Sequence, residues 1–292
     1  MDPVVSVCMT TYNQAAYVSE AIESVVRQET SFSFELVIGE DCSTDKTLEI
    51  CRQYQTRYPE VIKLHPRQPN LGFAKNLALT WAECKGQCIA MLEGDDLWCS
   101  SSKLQEQVGF LEANPDCSMC YTLTNIRSDR HNRHDQWPYR QPSKRTPTTS
   151  DILRHNPIAN CSVMYRRAFP RLPEWTQSLP YFDICLHSLH SLNGPVGRIP
   201  KVMATYRLHS GSSFESKSYM DHIRLSSVVY AELANHLPPP YCHQAGQTLL
   251  LMYLGLRRWR DSSRTFLKLP PKYQLTWPAI PAEQLYHMWN VR

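Results

Sequence analysis

Residues 87–96 read Gln-Cys-Ile-Ala-Met-Leu-Glu-Gly-Asp-Asp, an apolar run that ends in an acidic cluster. The apolar part is short and uninterrupted, which is typical of a strand buried on both faces of a sheet. Adjacent carboxylates at the end of such a strand repel each other unless a cation or hydrogen-bond donors compensate the charge. Mg²⁺ and Mn²⁺ take oxygen ligands and bind between a carboxylate and a phosphate. The stretch therefore predicts either a metal–diphosphate site or a solvated turn, and by itself it favours neither.

The segments on both sides of this stretch alternate between strand and helix patterns. Short apolar runs predict strands, and segments with apolar residues at helical spacing lie between them. The predicted strands are residues 4–10, 34–39, 61–64, 87–92 and 117–123. Strands and helices that alternate over about 120 residues predict an α/β fold, with a mostly parallel central sheet that is flanked by helices.

Polar side chains follow three of the predicted strands. Thr10 and Tyr12 end the first strand, Asp41 follows the second, and the acidic cluster 93–96 follows the fourth. Ligands of open α/β sheets bind beyond the carboxyl ends of the strands. Three strand ends that supply one crevice favour the metal–diphosphate interpretation of residues 93–96 over the solvated turn.

The composition indicates a globular protein without a nucleic-acid-binding face. The chain has 292 residues, of which 42% are hydrophobic and 20% charged, and its formal net charge is +4. This charge is too small for the footprint of a nucleic-acid-binding protein but is compatible with an anionic substrate. The first residues lack the basic segment of a secretory signal, and no apolar run reaches the ~20 residues of a membrane span. We therefore expect a cytoplasmic protein whose eleven cysteines are reduced thiols.

The chain changes character after residue 124. Residues 125–150 are polar and basic, which predicts a long loop or a loose hairpin, either a mobile segment over the site or a solvated linker. Residues 219–237 and 245–260 have helical patterns and predict a helical C-terminal extension. The apolar run 249–254, with several arginines after it, fits a packed core helix, a homodimer contact or peripheral attachment to a membrane surface.

Five segments resemble, in order along the chain, the motifs of glycosyltransferase family 2. Residues 5–13 are similar to the opening strand of the family, and residues 40–47 (Glu-Asp-Cys-Ser-Thr-Asp-Lys-Thr) resemble its D-D-x-S-x-D-x-T element. Residues 70–76 resemble its N-x-G turn and the helix after it. Residues 93–98 resemble its E-G-D-D-Y-W metal motif, and residues 206–209 its closing Y-R-x-H.

The resemblance covers residues 4–213 and implies a GT-A fold, which is Rossmann-like. It implies a catalytic domain over residues 1–213, with a nucleotide-binding half of about 1–124 and an acceptor half of about 125–213, followed by the helical extension 214–292. The implied activity moves a sugar, with inversion at the anomeric carbon, from a UDP- or dTDP-sugar to a hydroxyl of a glycan, lipid-linked or peptide acceptor. Such reactions build polysaccharide, lipopolysaccharide and other glycoconjugates.

The resemblance also implies a nucleotide pocket at the strand ends. Thr10 and Tyr12 would line this pocket, with the Tyr12 ring stacked on the base. Asp41 would accept the imide N–H of uracil or thymine, and Asp95 would reach the ribose or metal-bound water. Asn76, or its neighbour Lys75, would approach the nucleotide from the third predicted helix, where Lys75 could equally be exposed to solvent.

A divalent cation, Mn²⁺ or Mg²⁺, is implied as the cofactor that stabilises the leaving diphosphate. The resemblance implies Asp96 and His209 as ligands of this cation. Glu93, Arg207 and Trp98 are expected at the donor sugar or the diphosphate, where Arg207 would pair with phosphate charge. Trp98 would wall the sugar pocket, and a position in the core is its alternative.

The general base that deprotonates the acceptor hydroxyl is implied to be Asp183, which opens a predicted helix over residues 183–191. The competing structural role of Asp183 is that of a helix N-cap. Glu174 is the second candidate for the base.

Two other functions remain open at this point. A nucleotidyltransferase of sugar-nucleotide synthesis also uses metal carboxylates on an α/β sheet. It predicts a Gly-rich basic loop after the first strand, where residues 10–13 read Thr-Thr-Tyr-Asn. A catalytically inactive nucleotide-sugar-binding module would lack the acidic residues, yet Asp41, Asp95, Asp96 and Asp183 are all present.

Overall fold

The computed structural model describes residues 2–128, 135–138, 146–209 and 218–257. The chain divides into two compact units, residues 1–217 and 218–292, compared with the expected boundary at residue 213. All eleven cysteines are free thiols.

Nine strands lie in the first unit, in one sheet. They are β1 (Val5–Thr11), β2 (Phe34–Glu40), β3 (Ile62–Pro66), β4 (Cys88–Met91), β5 (Leu97–Trp98), β6 (Met119–Ser128), β7 (Asp135–Pro138), β8 (Val163–Arg166) and β9 (Val196–Leu208). The helices of this unit are α1 (Val18–Val26), α2 (Thr47–Arg57), α3 (Phe73–Glu83), α4 (Lys103–Ala113), α5 (Thr149–His155) and α6 (Asp183–Ser191). All five strands predicted for the first half of the chain are present.

The sheet has the strand order β3-β2-β1-β4-β8-β6-β9-β5, and β7 pairs with β6. The strands β3, β2, β1 and β4 are parallel neighbours, and β6 and β9 form a second parallel pair. Between these two groups lies β8, which is antiparallel to both β4 and β6. The prediction of a mostly parallel sheet flanked by helices is confirmed, and the antiparallel β8 joins its two parallel parts.

The strand β1 lies inside the sheet, between β2 and β4, and every residue of it is buried. Its apolar side chains Val5, Val7 and Met9 belong to the hydrophobic core. An uninterrupted apolar sequence is expected for a strand that is covered on both faces. Because β1, β2 and β4 are parallel, their carboxyl ends meet at one edge of the sheet, as the polar residues after them predict.

Gly39 allows helix α3 to lie close to strand β2. A Cβ atom at this position would lie 1.9 Å from Thr80 Oγ1 and 2.6 Å from Asn76 Oδ1, both side chains of α3. Real Cβ atoms do not approach other heavy atoms so closely. Only glycine therefore fits here, and the contact fixes α3 against the carboxyl end of β2.

The structure refines two predictions for the second half of the sheet. Residues 196–199 and 202–206, predicted as separate strands, form the continuous strand β9, because an irregularity in its pairing with β6 accommodates the residues between them. In the segment 125–150, β6 extends to Ser128 and pairs antiparallel with β7, so the hairpin alternative is confirmed. Residues 129–134 and 139–145 lie outside the described residues, and so do most basic side chains of this segment.

The second unit is helical where it is described. It contains α7 (Tyr219–His236) and α8 (Tyr241–Arg257), which pack against each other. The Ser218 hydroxyl accepts a hydrogen bond from the backbone N–H of Asp221 and caps α7. Across the described ranges, no helix combines the length and the apolar character that a membrane crossing requires. Residues 258–292, which include Arg258 and Arg260 after the apolar run 249–254, lie outside the described residues.

Lys103 in α4 is fully buried beside Trp98. Its ammonium group donates a hydrogen bond to Gln107 Oε1 over 2.6 Å and lies 4.2 Å from the centre of the Trp98 ring. Burial lowers the pKa of Lys103 to about 7. In the unfolded chain Lys103 takes up a proton below about pH 10.4. In the folded protein it does so only below about pH 7. Lys103 therefore lowers the free energy of unfolding as the pH falls through this window.

We expect Lys103→Met to raise the free energy of unfolding by about 2 kcal/mol at pH 7, because an apolar side chain of similar length needs no desolvation. Thermal unfolding at pH 7 and pH 9 measures the effect, and the gain should shrink at pH 9. Lys85→Met, which changes an exposed lysine, is the matched control. A lower melting temperature for Lys103→Met than for wild type at pH 7 would contradict this account.

Candidate functional site

The carboxyl ends of β1, β2 and β4 are tied together by backbone hydrogen bonds. The N–H of Asp41, after β2, donates to the carbonyl of Thr11 over 3.0 Å, and the N–H of Gly94, after β4, donates to the carbonyl of Thr10 over 3.0 Å. A Cβ atom on Gly94 would lie 2.5 Å from Gln14 Oε1 and 2.7 Å from Thr11 Oγ1. Glycine is therefore required where the turn 93–96 meets the end of β1.

Tyr12 presents an aromatic ring at this edge of the sheet. The side chain is 45% exposed, whereas Thr10 before it is buried. Asn13 has a left-handed backbone with φ of 51°, and its Oδ1 accepts the backbone N–H of Thr44 over 2.8 Å. The loop after β1 is thus fixed to the loop after β2, and the Tyr12 ring is available to a planar ligand.

Asp41 is buried and shapes the turn before α3. Its Oδ1 accepts the backbone N–H of Leu71 over 2.8 Å and its Oδ2 accepts that of Gly72 over 2.9 Å. Gly72 has φ of 81°, a conformation that favours glycine. A carboxylate oxygen can accept more than one hydrogen bond. Asp41 therefore retains acceptor capacity toward a ligand.

Asn76 does not face the crevice as a nucleotide contact. It is buried, its Nδ2 donates to the carbonyl of Gly39 over 2.8 Å, and its Oδ1 accepts from Arg67 Nε over 3.1 Å. Its amide is therefore used within the protein, which corrects the predicted role. Asn76 instead holds the guanidinium of Arg67, which also donates to Thr80 Oγ1 and is near enough to Asp41 for their charges to interact.

Sequence reasoning did not find Arg67. A basic residue just before the Asn70 turn was the available signal, but its significance depends on α3 lying against β2. Burial lowers the pKa of Arg67, and the group remains a cation at neutral pH.

The acidic residues of the turn 93–96 point to different partners. Asp95 Oδ2 lies 3.1 Å from His209 Nε2, at the end of β9. Asp96 is 2% exposed, and its Oδ1 accepts the backbone N–H of Arg207 over 2.8 Å. Its carboxylate also interacts with the thiol of Cys161, and burial raises its pKa. The structure therefore pairs Asp95 with His209, where the sequence predicts Asp96 as the metal ligand.

His209 and Arg207 are held by helix α1 and the residue before it. The His209 ring lies 4.3 Å from the ring of Tyr17, centre to centre. The Arg207 guanidinium lies 4.8 Å from the centre of the same ring, and its Nη2 is 2.8 Å from Glu20 Oε2. Arg207 is thus buried and paired with a protein carboxylate, which corrects its predicted pairing with the diphosphate.

The 3.1 Å contact between Asp95 Oδ2 and His209 Nε2 is a hydrogen bond between the two side chains. A carboxylate and an imidazole are both possible ligands of a divalent cation, so these two residues would be the ones to hold it. Among the residues that the structure describes, no group of three or more His, Cys, Asp or Glu side chains is placed to bind a metal. A cation held by this pair would therefore take further oxygen ligands from a diphosphate and water.

Trp98 belongs to the core and not to a sugar pocket. It is 4% exposed, and its indole N–H donates to the carbonyl of Cys161 over 2.8 Å. Trp98 lies in β5, which pairs with β9, and its ring contacts Lys103. The core alternative is therefore the correct one for Trp98.

Glu93, the first residue of the turn, is buried against residues after α5. Its Oε1 accepts a hydrogen bond from Asn160 Nδ2. Burial, together with the charges of Asp95 and Asp183, raises the pKa of Glu93 to about 7. Glu93 is therefore close enough to Asp183 for their charges to interact.

Asp183 is the first residue of α6, as predicted. Its Oδ2 accepts a hydrogen bond from Asn156 Nδ2 over 2.8 Å, and its buried Oδ1 has no hydrogen-bond partner within the described ranges. Burial raises the pKa of this carboxyl group. The preceding Phe182 is the N-cap residue, so Asp183 lies in the first turn, where a negative charge is favourable. Glu174 lies exposed in a 3₁₀ turn, Glu174–Ser178.

Comparison with known sequences matches the chain to one family and to uncharacterized relatives. The sequence pattern described as Glycosyl transferase family 2 matches residues 6–172. An uncharacterized protein of Mycobacterium tuberculosis is 31% identical over 216 residues, which are 74% of this chain and 62% of that relative. The match thus spans less than two thirds of the relative's length.

Two solved structures have a similar fold. TarS of Staphylococcus aureus, a poly(ribitol-phosphate) beta-N-acetylglucosaminyltransferase, was solved with UDP-GlcNAc and gives a TM-score of 0.60 at 20% identity, over 94% of this chain and 78% of that one. The mannosyltransferase PcManGT of Pyrobaculum calidifontis, solved with GDP-Man and Mn²⁺, gives a TM-score of 0.58 at 17% identity, over 94% of this chain and 83% of that one. The matched sequence pattern and the shared GT-A fold show that this chain belongs to glycosyl transferase family 2.

Proposed function

We propose that the protein transfers a sugar from a UDP- or dTDP-sugar to a hydroxyl acceptor, with inversion, in the synthesis of a polysaccharide or another glycoconjugate. The observation that carries the proposal is the turn 93–96, where Asp95 contacts His209 and Glu93 is close enough to Asp183 for their charges to interact. A leaving-group site and a proton acceptor would thus both lie near one short turn. The UDP-GlcNAc complex of TarS supports a nucleotide-sugar donor.

The donor would bind at the carboxyl ends of β1, β2 and β4. The exposed ring of Tyr12 stacks on the base, and the remaining acceptor capacity of Asp41 receives the imide N–H of uracil or thymine. Arg67, beside Asp41, supports the same pocket. Asp95 and His209 would hold a divalent cation, which supplies the positive charge that stabilises the diphosphate as it leaves.

The acceptor would bind on the Asp183 side of the turn. The carboxylate of Asp183 takes the proton of the acceptor hydroxyl as the hydroxyl oxygen forms a bond to the anomeric carbon. The bond between the anomeric carbon and the diphosphate oxygen breaks, and the diphosphate keeps its electron pair. One such displacement inverts the anomeric configuration.

The pH dependence follows from the burial of Asp183. The base must be ionised, and burial raises its pKa above the usual range of an aspartate. Transfer should therefore fall as the pH drops through this raised pKa, at a higher pH than for an exposed aspartate.

Nucleotide binding provides the first test. We expect UDP or dTDP to bind in the presence of Mn²⁺ and to bind more tightly than CDP, which lacks the imide N–H. Tyr12→Ala should weaken binding about tenfold or more, since a stacked base is worth ~1–3 kcal/mol, and Tyr12→Phe should retain it. Isothermal titration calorimetry measures each affinity.

The absence of any binding of UDP or dTDP with Mn²⁺ would overturn the nucleotide assignment. A panel of nucleotide-sugars, assayed for slow hydrolysis without acceptor, then identifies the donor. Release of the nucleoside diphosphate supports glycosyl transfer, whereas release or consumption of pyrophosphate would indicate nucleotidyl transfer.

A further inference from the structure

Asn156, which follows α5, joins Asp183 to a histidine through the two ends of its side-chain amide. Its Nδ2 donates to Asp183 Oδ2 over 2.8 Å, and its Oδ1 lies 2.8 Å from Nδ1 of His187. Asp183 and His187 are four residues apart in α6 and therefore lie on one face of that helix. The three side chains form a chain of two hydrogen bonds across the α5–α6 contact.

The orientation of the amide follows from the chemistry of its partners. An ionised Asp183 only accepts hydrogen bonds, so the amide N–H₂ points to it. The amide oxygen then requires a donor, which is the N–H on Nδ1 of His187. Burial lowers the pKa of His187 to about 3, with a further contribution from the nearby His190, so the ring is neutral and keeps this tautomer.

The backbone at Asn156 supports a role beyond ending the helix. Its φ of 21° lies in the positive range that side chains other than glycine rarely adopt. The helix before it starts with a capping box at Thr148 and Asp151, and the N–H of Asn156 donates to the carbonyl of Ile152 over 2.9 Å. Such strained conformations persist where the surrounding structure enforces them, and they cluster at functional sites.

We propose that Asn156 is a positioning residue for the general base: it holds one oxygen of Asp183, so that the other oxygen, Oδ1, is directed to the acceptor hydroxyl, and His187 fixes the amide of Asn156. This inference rests on the proposed function, in which Asp183 takes the acceptor proton. Among the described residues, Oδ1 is a buried acceptor without a hydrogen-bond partner, so a hydroxyl that reaches it would satisfy it.

The same hydrogen bond favours the ionised form of Asp183 against the burial that raises its pKa. Other groups act on this carboxyl from each neighbouring element. They are Glu93 after β4, Tyr165 in β8 and Cys185 in α6, all of which interact with the charge of Asp183. None of them donates a hydrogen bond to Asp183 among the contacts that the structure describes. The backbone N–H groups of Ile184 and Asp183 also act on this carboxyl, and Asn156 is the side chain that donates a hydrogen bond to it among the described residues.

The test uses the full-length protein and the variant Asn156→Gly, which removes the amide and suits the positive φ. We expect kcat to fall about ten- to a hundredfold, as for a lost hydrogen bond to a charged group, with KM for the donor unchanged. The acidic limb of the pH profile of kcat should move up by about one pH unit. Asn156→Asp, which places an oxygen in place of the donor, should move it further.

His187 and a matched control complete the test. His187→Leu removes the donor to Asn156 and should shift the acidic limb in the same direction, while His187→Gln keeps an N–H donor and should shift it less. Asn193→Ala changes an exposed asparagine at the end of α6 and should leave kcat and the pH profile unchanged.

Titration of ¹³C-labelled aspartate carboxyls by NMR separates this inference from the proposed function, because it needs no activity. The pKa of Asp183 should be higher in Asn156→Gly than in wild type. An unchanged pKa in the folded variant would overturn the positioning role, even if kcat falls. If wild type transfers no sugar but the pKa moves as expected, the proposed function fails and the hydrogen-bond arrangement stands.

Discussion

Asp183→Asn is expected to lower sugar transfer by about 10³-fold, within the usual range for loss of a general base. The amide cannot take the acceptor proton at any accessible pH, yet it keeps the size of the carboxylate and a hydrogen-bonding oxygen for Asn156. Affinity for UDP or dTDP should stay near the wild-type value, because Asp183 would act on the acceptor and not on the nucleotide. Steady-state kinetics and calorimetry measure the two effects separately.

Glu174→Gln is the matched control for this experiment. Glu174 is exposed in its 3₁₀ turn and is the other carboxylate that the sequence predicts as a base. We expect Glu174→Gln to retain transfer. Wild-type turnover by Asp183→Asn together with loss of activity in Glu174→Gln would move the base to Glu174.

Asp95→Asn and His209→Ala should each remove the dependence of diphosphate binding on Mn²⁺. In wild type we expect the metal to tighten UDP binding and a chelator to weaken it, because the Asp95–His209 pair would hold a cation against the phosphates. Each variant should bind UDP with the same affinity with and without metal, and transfer should fall about 10³-fold, the equivalent of several kcal/mol of charge stabilisation. Calorimetry with and without Mn²⁺ gives the comparison.

Asp96→Asn discriminates between the two adjacent carboxylates. Asp96 is buried against the backbone N–H of Arg207, so its change should lower the melting temperature and leave the effect of Mn²⁺ on UDP binding intact. The reverse outcome, metal dependence lost in Asp96→Asn but retained in Asp95→Asn, would restore Asp96 as the ligand that the sequence predicts.

The fold and the meeting of three strand ends at one edge of the sheet were predictable from local patterns. The apolar runs 4–10 and 87–92 are uninterrupted because β1 and β4 are covered on both faces, and strands that run parallel must end at one edge. The helix over residues 183–191 was also correctly bounded, since Asp183 begins it and a stripe of apolar side chains continues it. The spacing of apolar residues and the residues at the ends of helices and strands carry this information within a few residues of sequence.

The orientation of single side chains was not predictable in the same way. Asp95 and Asp96 are neighbours in a turn, and only the position of β9 decides which of them meets His209. Trp98 is buried because β5 pairs with β9, more than a hundred residues later in the chain. These contacts depend on long-range packing.

Two useful residues were missed for a related reason. Arg67 is oriented by its hydrogen bond to Asn76 on α3. Asn156 is oriented by its hydrogen bonds to two side chains of α6. Asn156 did carry a local signal, since it precedes Pro157 at the end of a helix, and Asn-Pro favours a turn. The signal indicates the end of α5 but not the partners of the amide.

The donor and acceptor residues near the turn 93–96 come from separate parts of the chain, which has a consequence for engineering. Tyr12, Asp41 and Arg67, which would select the donor, come from the first 70 residues, whereas Asn156 follows α5, and Asp183 and His187 belong to α6. The turn is the short segment that faces both groups. A chimera that exchanges residues 146–191 with those of a relative, and retains the turn, would therefore exchange acceptor preference while the donor stays the same. Donor and acceptor choice can in this way diversify independently on one scaffold.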